Sequence, residues 1–197
     1  PDHGDPAGYT EMELTATDAG GAIAKTSVNI YLSNGAAPGS NLIQNPSFET
    51  ADSANPAIPF TWNSYKWGTS TTTFTYPVAG YDGANSRAAK VTVAAYTSGD
   101  AKWGFDPVHA DPNKDYTFSD RYQSTVPTRI VAASTDINDI TTYTELAIMP
   151  ASASWAQTNV VYHTPADVRT LAIFHLIDQN GTLTVDTFSL TDGTTPP

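Results

Sequence analysis

The chain has 197 residues, of which 40% are hydrophobic, 11% aromatic and only 15% charged, and it is long enough to bury a sizeable core. Lys and Arg number 9 against 20 for Asp and Glu, giving a net charge of −11. This balance argues against nucleic acid or an anionic membrane surface as a partner, because both require clustered basic side chains. It is compatible with a neutral ligand or with cation binding, and the absence of cysteine decides little about the compartment.

Residues 1–34 predict a β-hairpin. The stretch "GYTEMELTATD" alternates as a strand does, "AGG" forms a turn, and "AKTSVNIYL" is the returning strand. A single hairpin is barely stable in water, so this one is expected to dock on something else. The stretch "LTATDAGGAIAKTSVNIYL" resembles the closing strands of polycystic-kidney-disease-type and related immunoglobulin-like modules of secreted bacterial proteins. The resemblance implies that residues 1–34 are the C-terminal fragment of such a domain.

Residues 41–192 predict one β-domain, preceded by a linker at 35–40 and followed by a tail or linker at 193–197. Short strands alternate with turns such as "TSGD" and "DQNG", and no helical periodicity interrupts them. The sequence therefore predicts an all-β fold, a jelly-roll β-sandwich with an extra N-terminal β-hairpin segment. Strands are expected near residues 41–44, 46–49, 72–76, 87–95, 101–108, 115–124, 128–135, 143–148, 155–163, 169–177 and 182–191.

The two ends of the β-domain carry a family resemblance. "NLIQNPSFE" (41–49) and "GTLTVDTFSL" (181–190) resemble the bracketing strands of carbohydrate-binding modules of the family 4, 9 and 22 kind, and "AAKVTV", "WGFDPV", "YTFSDRY" and "W…V.YHTP" follow in that family's order. The resemblance implies a monomeric, non-catalytic module that binds a polysaccharide such as β-glucan or xylan. It also implies a secreted or cell-surface protein with an upstream catalytic domain in the same chain.

A structural Ca²⁺ is often held in such modules where the two end strands lie close together. Carried over by position, the resemblance implies that Glu49 and Asp186 are the side-chain ligands, with backbone carbonyls and waters completing the about six to eight oxygens that Ca²⁺ prefers. Strand alternation would turn Phe48 into the core while Glu49 points outward. The alternative is that both acidic side chains are ordinary solvated carboxylates.

The stretch "FTWNSYKWGTSTTTFTY" (60–76) is the richest candidate for a sugar-binding surface. A sugar site needs flat aromatic faces for the C–H faces of pyranose rings, together with planar polar groups that reach adjacent hydroxyls. Trp67, Tyr65 and Trp62 lie among Thr, Ser and Asn and are expected to contact the ligand. The alternative is that some of these rings, Trp62 in particular, pack in the core.

The stretch "YTFSDRYQS" places Arg121 on the exposed face of a predicted strand, and we expect it to contact the glycan as well. Strict alternation would place Asp120 inward, so a bulge re-aims its side chain or it pairs with a base such as Arg121 or Arg129.

Three further aromatic or imidazole side chains complete the candidate site. Tyr143 lies near a strand start, and Trp103 in "AKWGFDPV" has an uncertain phase. His175 in "LAIFHLI" is in phase with two apolar side chains, and the run does not settle which face is buried. A lone His in an apolar strand is usually a hydrogen-bonded structural residue, which is the alternative to a sugar contact here.

Motifs of common enzymes are missing from the sequence: there is no G-x-S-x-G elbow, no H-E-x-x-H and no P-loop. Many of the acidic residues lie in turns, where local hydrogen bonding to the backbone explains them. We therefore predict no enzymatic activity. The alternative function is a structural or adhesive, Ca²⁺-stabilised β-sandwich that spaces domains on a cell surface and binds no sugar.

Overall fold

The computed structural model describes residues 8–17, 20–32, 39–83 and 85–193, with the backbone alone for 8–14 and 26–32. The chain divides into two units, Pro1–Ala37 and Pro38–Pro197. Most of the predicted linker (35–38) and tail (194–197) lies outside the described residues. The part of the chain that is described contains no helix with the length and apolarity that crossing a bilayer requires.

The first unit contains the predicted hairpin. Strands β1 (Gly8–Thr17) and β2 (Ile23–Leu32) pair antiparallel, from Gly8 opposite Leu32 to Thr17 opposite Ile23. Gly21 adopts a φ of 84° in the connection, a conformation that favours glycine. That the hairpin derives from an immunoglobulin-like domain stays a prediction.

The described residues of the second unit form twelve further strands. Most follow the predicted positions, and a short strand, β7, adds a pairing within "WGFDPVH". The strands are β3 (Trp62–Trp67), β4 (Thr71–Ala79), β5 (Arg87–Ala94), β6 (Asp100–Phe105), β7 (Val108–His109), β8 (Asp115–Ser124), β9 (Thr128–Asp136), β10 (Thr141–Met149), β11 (Ser152–Gln157), β12 (Val160–His163), β13 (Val168–Leu176) and β14 (Gly181–Asp192).

Two sheets face each other in this unit. The first, called the back sheet here, has the order β11-β8-β14-β5-β4, with β12 also paired to β8. The second, called the cleft sheet, runs β10-β9-β13 and continues through β6 to β3, because Ala101 and Ile177 exchange backbone hydrogen bonds of 2.9 and 3.0 Å. Strand β7 pairs with β13 as well. This arrangement confirms the predicted all-β jelly-roll sandwich.

The core lies between the two sheets and follows the two-residue period of strand side chains. On β8, Phe118 and Tyr122 are buried while the residues between them are partly exposed, apart from Asp120. On the cleft sheet, Ile130 and Ile173 point inward in the same way. Burial of each such side chain stabilises the fold by about 1.5–3 kcal/mol.

The strands predicted near 41–44 and 46–49 are absent; turns and bends occupy these positions. Asn45 and Phe48 have φ values of 49° and 58°, which no regular strand allows, and the intervening Pro46 donates no backbone hydrogen bond. The segment is nevertheless tied to β14, because the backbone N–H of Leu42 donates to the carbonyl of Leu190 at 2.8 Å. The predicted orientations still hold: Phe48 is buried and Glu49 is exposed.

Candidate functional site

A cleft of about 830 Å³ lies on the outer face of the cleft sheet. Alternation explains its floor, because on each strand the side chains that do not enter the core must face the other side. Val131 and Ala133 of β9 and Ala172, Phe174 and Leu176 of β13 form this apolar floor. The residues between them on the same strands point into the sandwich.

Exposed aromatic rings stand at both sides of the floor. Trp67 and Tyr65 lie on β3 with 64% and 39% of their surface exposed, and Tyr143 on β10 is 67% exposed. The Tyr65 ring lies 6.4 Å from the Phe174 ring, centroid to centroid. Gly104 on β6 allows this approach, because a Cβ atom there would lie 2.9 Å from Cε2 of Tyr65. The structure therefore brings together three of the seven predicted ligand-binding side chains.

Asp100 holds the Trp67 ring in place. One carboxylate oxygen of Asp100 accepts a hydrogen bond from the indole N–H of Trp67. The other accepts from Nζ of Lys102 at 2.6 Å. Lys102 in turn lies 5.0 Å from the centre of the Phe174 ring, a cation–π distance. Two cleft rings are thus linked through one ion pair.

Arg129 occupies the other half of the cleft between two carboxylates. Its Nε donates to Asp178 at 2.6 Å, and one terminal nitrogen donates to Glu145 on the neighbouring β10. These hydrogen bonds, that to Asp178 foremost, raise the pKa of Arg129 above its ordinary value. The guanidinium therefore stays charged and orients both carboxylates.

Three predicted ligand contacts are wrong, because Trp62, Trp103 and His175 are buried in the core. Trp62 and Trp103 are each 2% exposed, and His175 is 1% exposed. Trp62 packs on Phe48 at 4.4 Å between ring centroids, and the indole N–H of Trp103 donates to the carbonyl of Lys90 across the sandwich. Each is an odd number of positions from a cleft-facing neighbour on its own strand, so alternation sends it inward.

His175 is paired inside the core with Asp120. Its Nδ1 lies 2.7 Å from Oδ2 of Asp120, and its Nε2 lies 2.7 Å from Oγ1 of Thr128. The hydroxyl of Thr158 donates to the remaining carboxylate oxygen of Asp120 at 2.6 Å. Asp120 therefore points inward without a bulge of its own, and its partner is neither Arg121 nor Arg129, the two bases that the sequence suggested.

The prediction for Arg121 is also wrong with respect to the cleft. Arg121 does project from an exposed face, but β8 belongs to the back sheet, so the side chain faces away from the cleft. Its guanidinium carbon lies 4.5 Å from the ring centre of Tyr81. That ring in turn meets Trp155 at 6.0 Å.

The predicted metal ligands lie in one neighbourhood on the back sheet. Asp186 is fully buried, and its carboxylate accepts backbone hydrogen bonds from Tyr81 at 2.7 Å and Thr187 at 2.6 Å. Glu49 accepts from the backbone N–H of Arg87 at 2.9 Å. Burial first, with the negative charges of Asp82 and Glu49, raises the pKa of Asp186 to about 6 against the opposing effect of those two hydrogen bonds.

The donor set here suits a hard cation. Next to Asp186, the buried hydroxyl oxygen of Thr187 has no hydrogen-bond partner, and oxygen is the donor that Ca²⁺ prefers. Within the described ranges, no group of three or more His, Asp or Glu side chains is arranged to hold a metal. A cation would therefore rely on the carboxylates of Glu49 and Asp186 together with hydroxyl, backbone and water oxygens.

Sequence reasoning missed the charged part of the cleft. Asp100, Lys102, Arg129 and Asp178 line it, but they come from distant parts of the sequence: two from β6, one from β9 and one from just after β13. One signal was available: Asp100, Lys102 and Gly104 share a period of two, which places them on one face of β6.

Similar solved structures share this fold. No protein-family model matches the chain, and no curated protein matches it. The CBM22-1 xylan-binding domain of Paenibacillus barcinonensis Xyn10C is similar with a TM-score of 0.57 and 16% identity, covering 81% of this chain and 98% of that one. The C-terminal family 22 carbohydrate-binding module of Clostridium thermocellum Xyn10B gives 0.57 and 15%, covering 82% and 100%.

The same fold is also found in enzymes. The enzymatically active domain of bacteriophage CBA120 tailspike protein 4 is similar with a TM-score of 0.57 and 14% identity, covering 77% of this chain and 21% of that one. This chain thus spans about a fifth of the phage protein's chain. At such low identities the likeness establishes the β-sandwich fold, which agrees with the resemblance seen in the sequence.

Proposed function

We propose that the second unit is a non-catalytic carbohydrate-binding module for a polysaccharide such as β-glucan or xylan. The observation that carries the proposal is the cleft with exposed Trp67, Tyr65 and Tyr143 around an apolar floor. Structures of the same fold include a xylan-binding domain and a family 11 module in complex with a β-1,3-1,4-mixed-linked tetrasaccharide, the latter at a TM-score of 0.52.

The cleft offers both kinds of contact that a sugar chain needs. The faces of Trp67 and Tyr65 suit the C–H faces of pyranose rings, where apolar burial and C–H/π contact combine. The carboxylates of Asp100 and Asp178 can accept hydrogen bonds from hydroxyls, and Lys102 can donate them. An open aromatic platform of this kind predicts dissociation constants from about millimolar to micromolar for soluble oligosaccharides.

The cleft carboxylates are unsuited to glycoside hydrolysis. That reaction needs two carboxyl groups, one of which stays protonated in an apolar setting until it donates its proton. Asp100 is paired with Lys102, and Asp178 and Glu145 are both paired with Arg129. Binding without turnover is therefore the function that this arrangement supports best.

Tethering is the role we propose for such a module. A secreted or cell-surface protein would carry it as a monomeric unit beside an upstream catalytic domain, and binding would raise the effective concentration of that domain at a polysaccharide. One similar structure shows this arrangement in another protein: the CBM22-1 and GH10 modules of Clostridium thermocellum Xyn10B, with a TM-score of 0.54 and 12% identity.

We further propose that Glu49 and Asp186 hold a structural Ca²⁺. Support comes from the buried carboxylate of Asp186, the negative charges of Glu49 and Asp82 beside it, and the unpartnered hydroxyl of Thr187. When bound, the cation would neutralise this negative cluster. Glu49 and Asp186 would then fasten the 41–50 segment to β14.

Affinity electrophoresis in gels cast with xylan or mixed-linkage β-glucan tests the binding function. We expect retardation by at least one neutral polysaccharide, and Trp67→Ala should weaken binding about tenfold or more because it removes the most exposed ring of the β3 side. Tyr65→Ala and Tyr81→Ala form a matched pair, because both residues are 39% exposed but Tyr81 lies in the connection between β4 and β5, against Arg121 of the back sheet. Only the Tyr65 variant should lose retardation.

Two outcomes would contradict the proposal. Mobility that no glycan changes would favour the domain spacer instead. Turnover of a polysaccharide by the isolated chain, abolished by one substitution in the cleft, would favour an enzyme.

A further inference from the structure

Charges in the cleft cancel within the chain itself. Three cations, Lys66, Lys102 and Arg129, lie at the cleft together with the carboxylates of Asp100 and Asp178. A third carboxylate, that of Glu145, binds Arg129 from the next strand. The local charge is therefore close to zero, although the whole chain carries −11.

Each cation is already engaged by an oxygen of the protein. Arg129 is held by two carboxylates, Lys102 donates to Asp100 at 2.6 Å, and Lys66 donates to the carbonyl of Ser70 at 2.5 Å. The Lys102 side chain is largely buried beside Phe174, so this pair is less screened by water than a fully exposed one.

We propose that this cleft selects neutral glycans and rejects chains that carry carboxylate or sulfate groups. The inference rests on the carbohydrate-binding function proposed above and names the chemical class of its ligand. An anionic sugar would have to displace Glu145, Asp178 or Asp100 from its cation. The displaced carboxylate would then lie beside the incoming anion, and such like-charge contacts are strongly unfavourable.

A neutral sugar meets no such obstacle. Arg129 fixes the carboxylates of Asp178 and Glu145, whose remaining lone pairs can accept hydrogen bonds from hydroxyl groups. The floor beneath them is apolar, and a neutral pyranose ring that covers the pairs brings no charge that competes for Arg129. Negative charge over the rest of the chain adds a long-range repulsion against polyanions.

A chemically matched pair of ligands tests the inference. Mixed-linkage β-glucan and its C6-oxidised form, in which hydroxymethyl groups are carboxylates, share the same backbone. Affinity electrophoresis and calorimetry with oligosaccharides of both forms should show binding of the oxidised form to be about tenfold weaker or worse. Chemical reduction of those carboxylates should restore the affinity.

Two substitutions separate the cleft from overall charge. Glu145→Gln frees part of the Arg129 charge in the cleft, while Asp139→Asn removes one carboxylate from the pair with Arg169 outside it. Both change the net charge by one. We expect Glu145→Gln to improve binding of the oxidised glucan about two- to fivefold, and Asp139→Asn to leave it unchanged.

The outcomes distinguish this inference from the function beneath it. Equal affinity of the wild-type protein for neutral and oxidised glucan would overturn charge selection and leave the binding function standing. Tighter binding of the oxidised form would overturn it as well. Failure of every neutral and anionic glycan to bind would overturn both proposals together.

Discussion

The cleft and the cluster around Asp186 use carboxylates in opposite ways. At the cleft, Asp100, Asp178 and the adjoining Glu145 each have a Lys or Arg partner from the same chain. Around Asp186, the charges of Glu49 and Asp82 add to one another, and the hydrogen bonds to the Asp186 carboxylate come from neutral backbone groups. The first region is complete in itself, whereas the second is suited to a cation taken from solution.

This difference bears on the roles of the two regions. A recognition surface whose charges are internally paired needs no external ion to balance its carboxylates. A structural site that leaves carboxylates uncompensated makes folding depend on an external ion, because binding energy then becomes folding energy. Asp120 and His175 form another internal pair, and this one lies in the buried core.

The largest expected effect comes from breaking that core pair. His175→Ala leaves the carboxylate of Asp120 buried without its imidazole partner, and we expect a loss of about 3–5 kcal/mol in the free energy of unfolding. Glu145→Gln, which weakens a solvent-accessible pair, should cost less than about 1 kcal/mol. Urea denaturation of both variants gives the comparison. Equal losses in the free energy of unfolding would mean that a buried pair contributes no more to stability than a solvent-accessible one.

Removal of Ca²⁺ should have the next largest effect. A cation present at a hundredfold excess over its dissociation constant stabilises the fold by about 2.7 kcal/mol, which for a domain of this size corresponds to roughly 5–10 °C in Tm. Thermal melts with Ca²⁺ and with chelator measure the difference. Glu49→Gln should reduce it, and Glu145→Gln should not. Equal Tm values of the wild-type protein with Ca²⁺ and with chelator would contradict a structural Ca²⁺ site.

The smallest of these effects is a change of the Ca²⁺ response with pH. Without metal, the pKa of Asp186 is raised to about 6 by burial. The stability that the protonated Asp186 contributes to the folded state is therefore fully present below its unfolded pKa. It is lost as the pH rises through about 6. Ca²⁺ requires the ionised form, so its apparent affinity should fall about tenfold between pH 7 and pH 5. A gain in Tm that is equal at both values would contradict this assignment.

Most of the fold was predictable because alternation is a local property. Strand β8 shows it clearly in its sequence, and the turns between strands carry their usual residues. Strand β3 escaped prediction because only Trp62 of its six residues is buried, so no alternation marks it. The strands predicted near 41–44 and 46–49 do not form, because the backbone turns at Asn45 and Phe48.

The site was predictable only in part. Aromatic rings among hydroxyl side chains indicated Trp67 and Tyr65 as ligand contacts. Trp62 is an odd number of positions from both along β3, so strand alternation would have placed it on the opposite face. The order of non-consecutive strands across the sheet is not encoded locally, so the placing of β9 beside β13, which brings Arg129 to Asp178, could not be foreseen. The meeting of Asp120 with His175 depends on the facing of two sheets and was equally hidden.

The hydrogen bond between Leu42 and Leu190 has a consequence for how such a domain can be joined to others. It places the entry and the exit of the sandwich side by side. A domain with neighbouring entry and exit points can be grafted into a surface loop of a host protein without forcing that loop apart. The sandwich therefore has the geometry of a domain that can be inserted into a loop of another domain as well as joined to others in tandem.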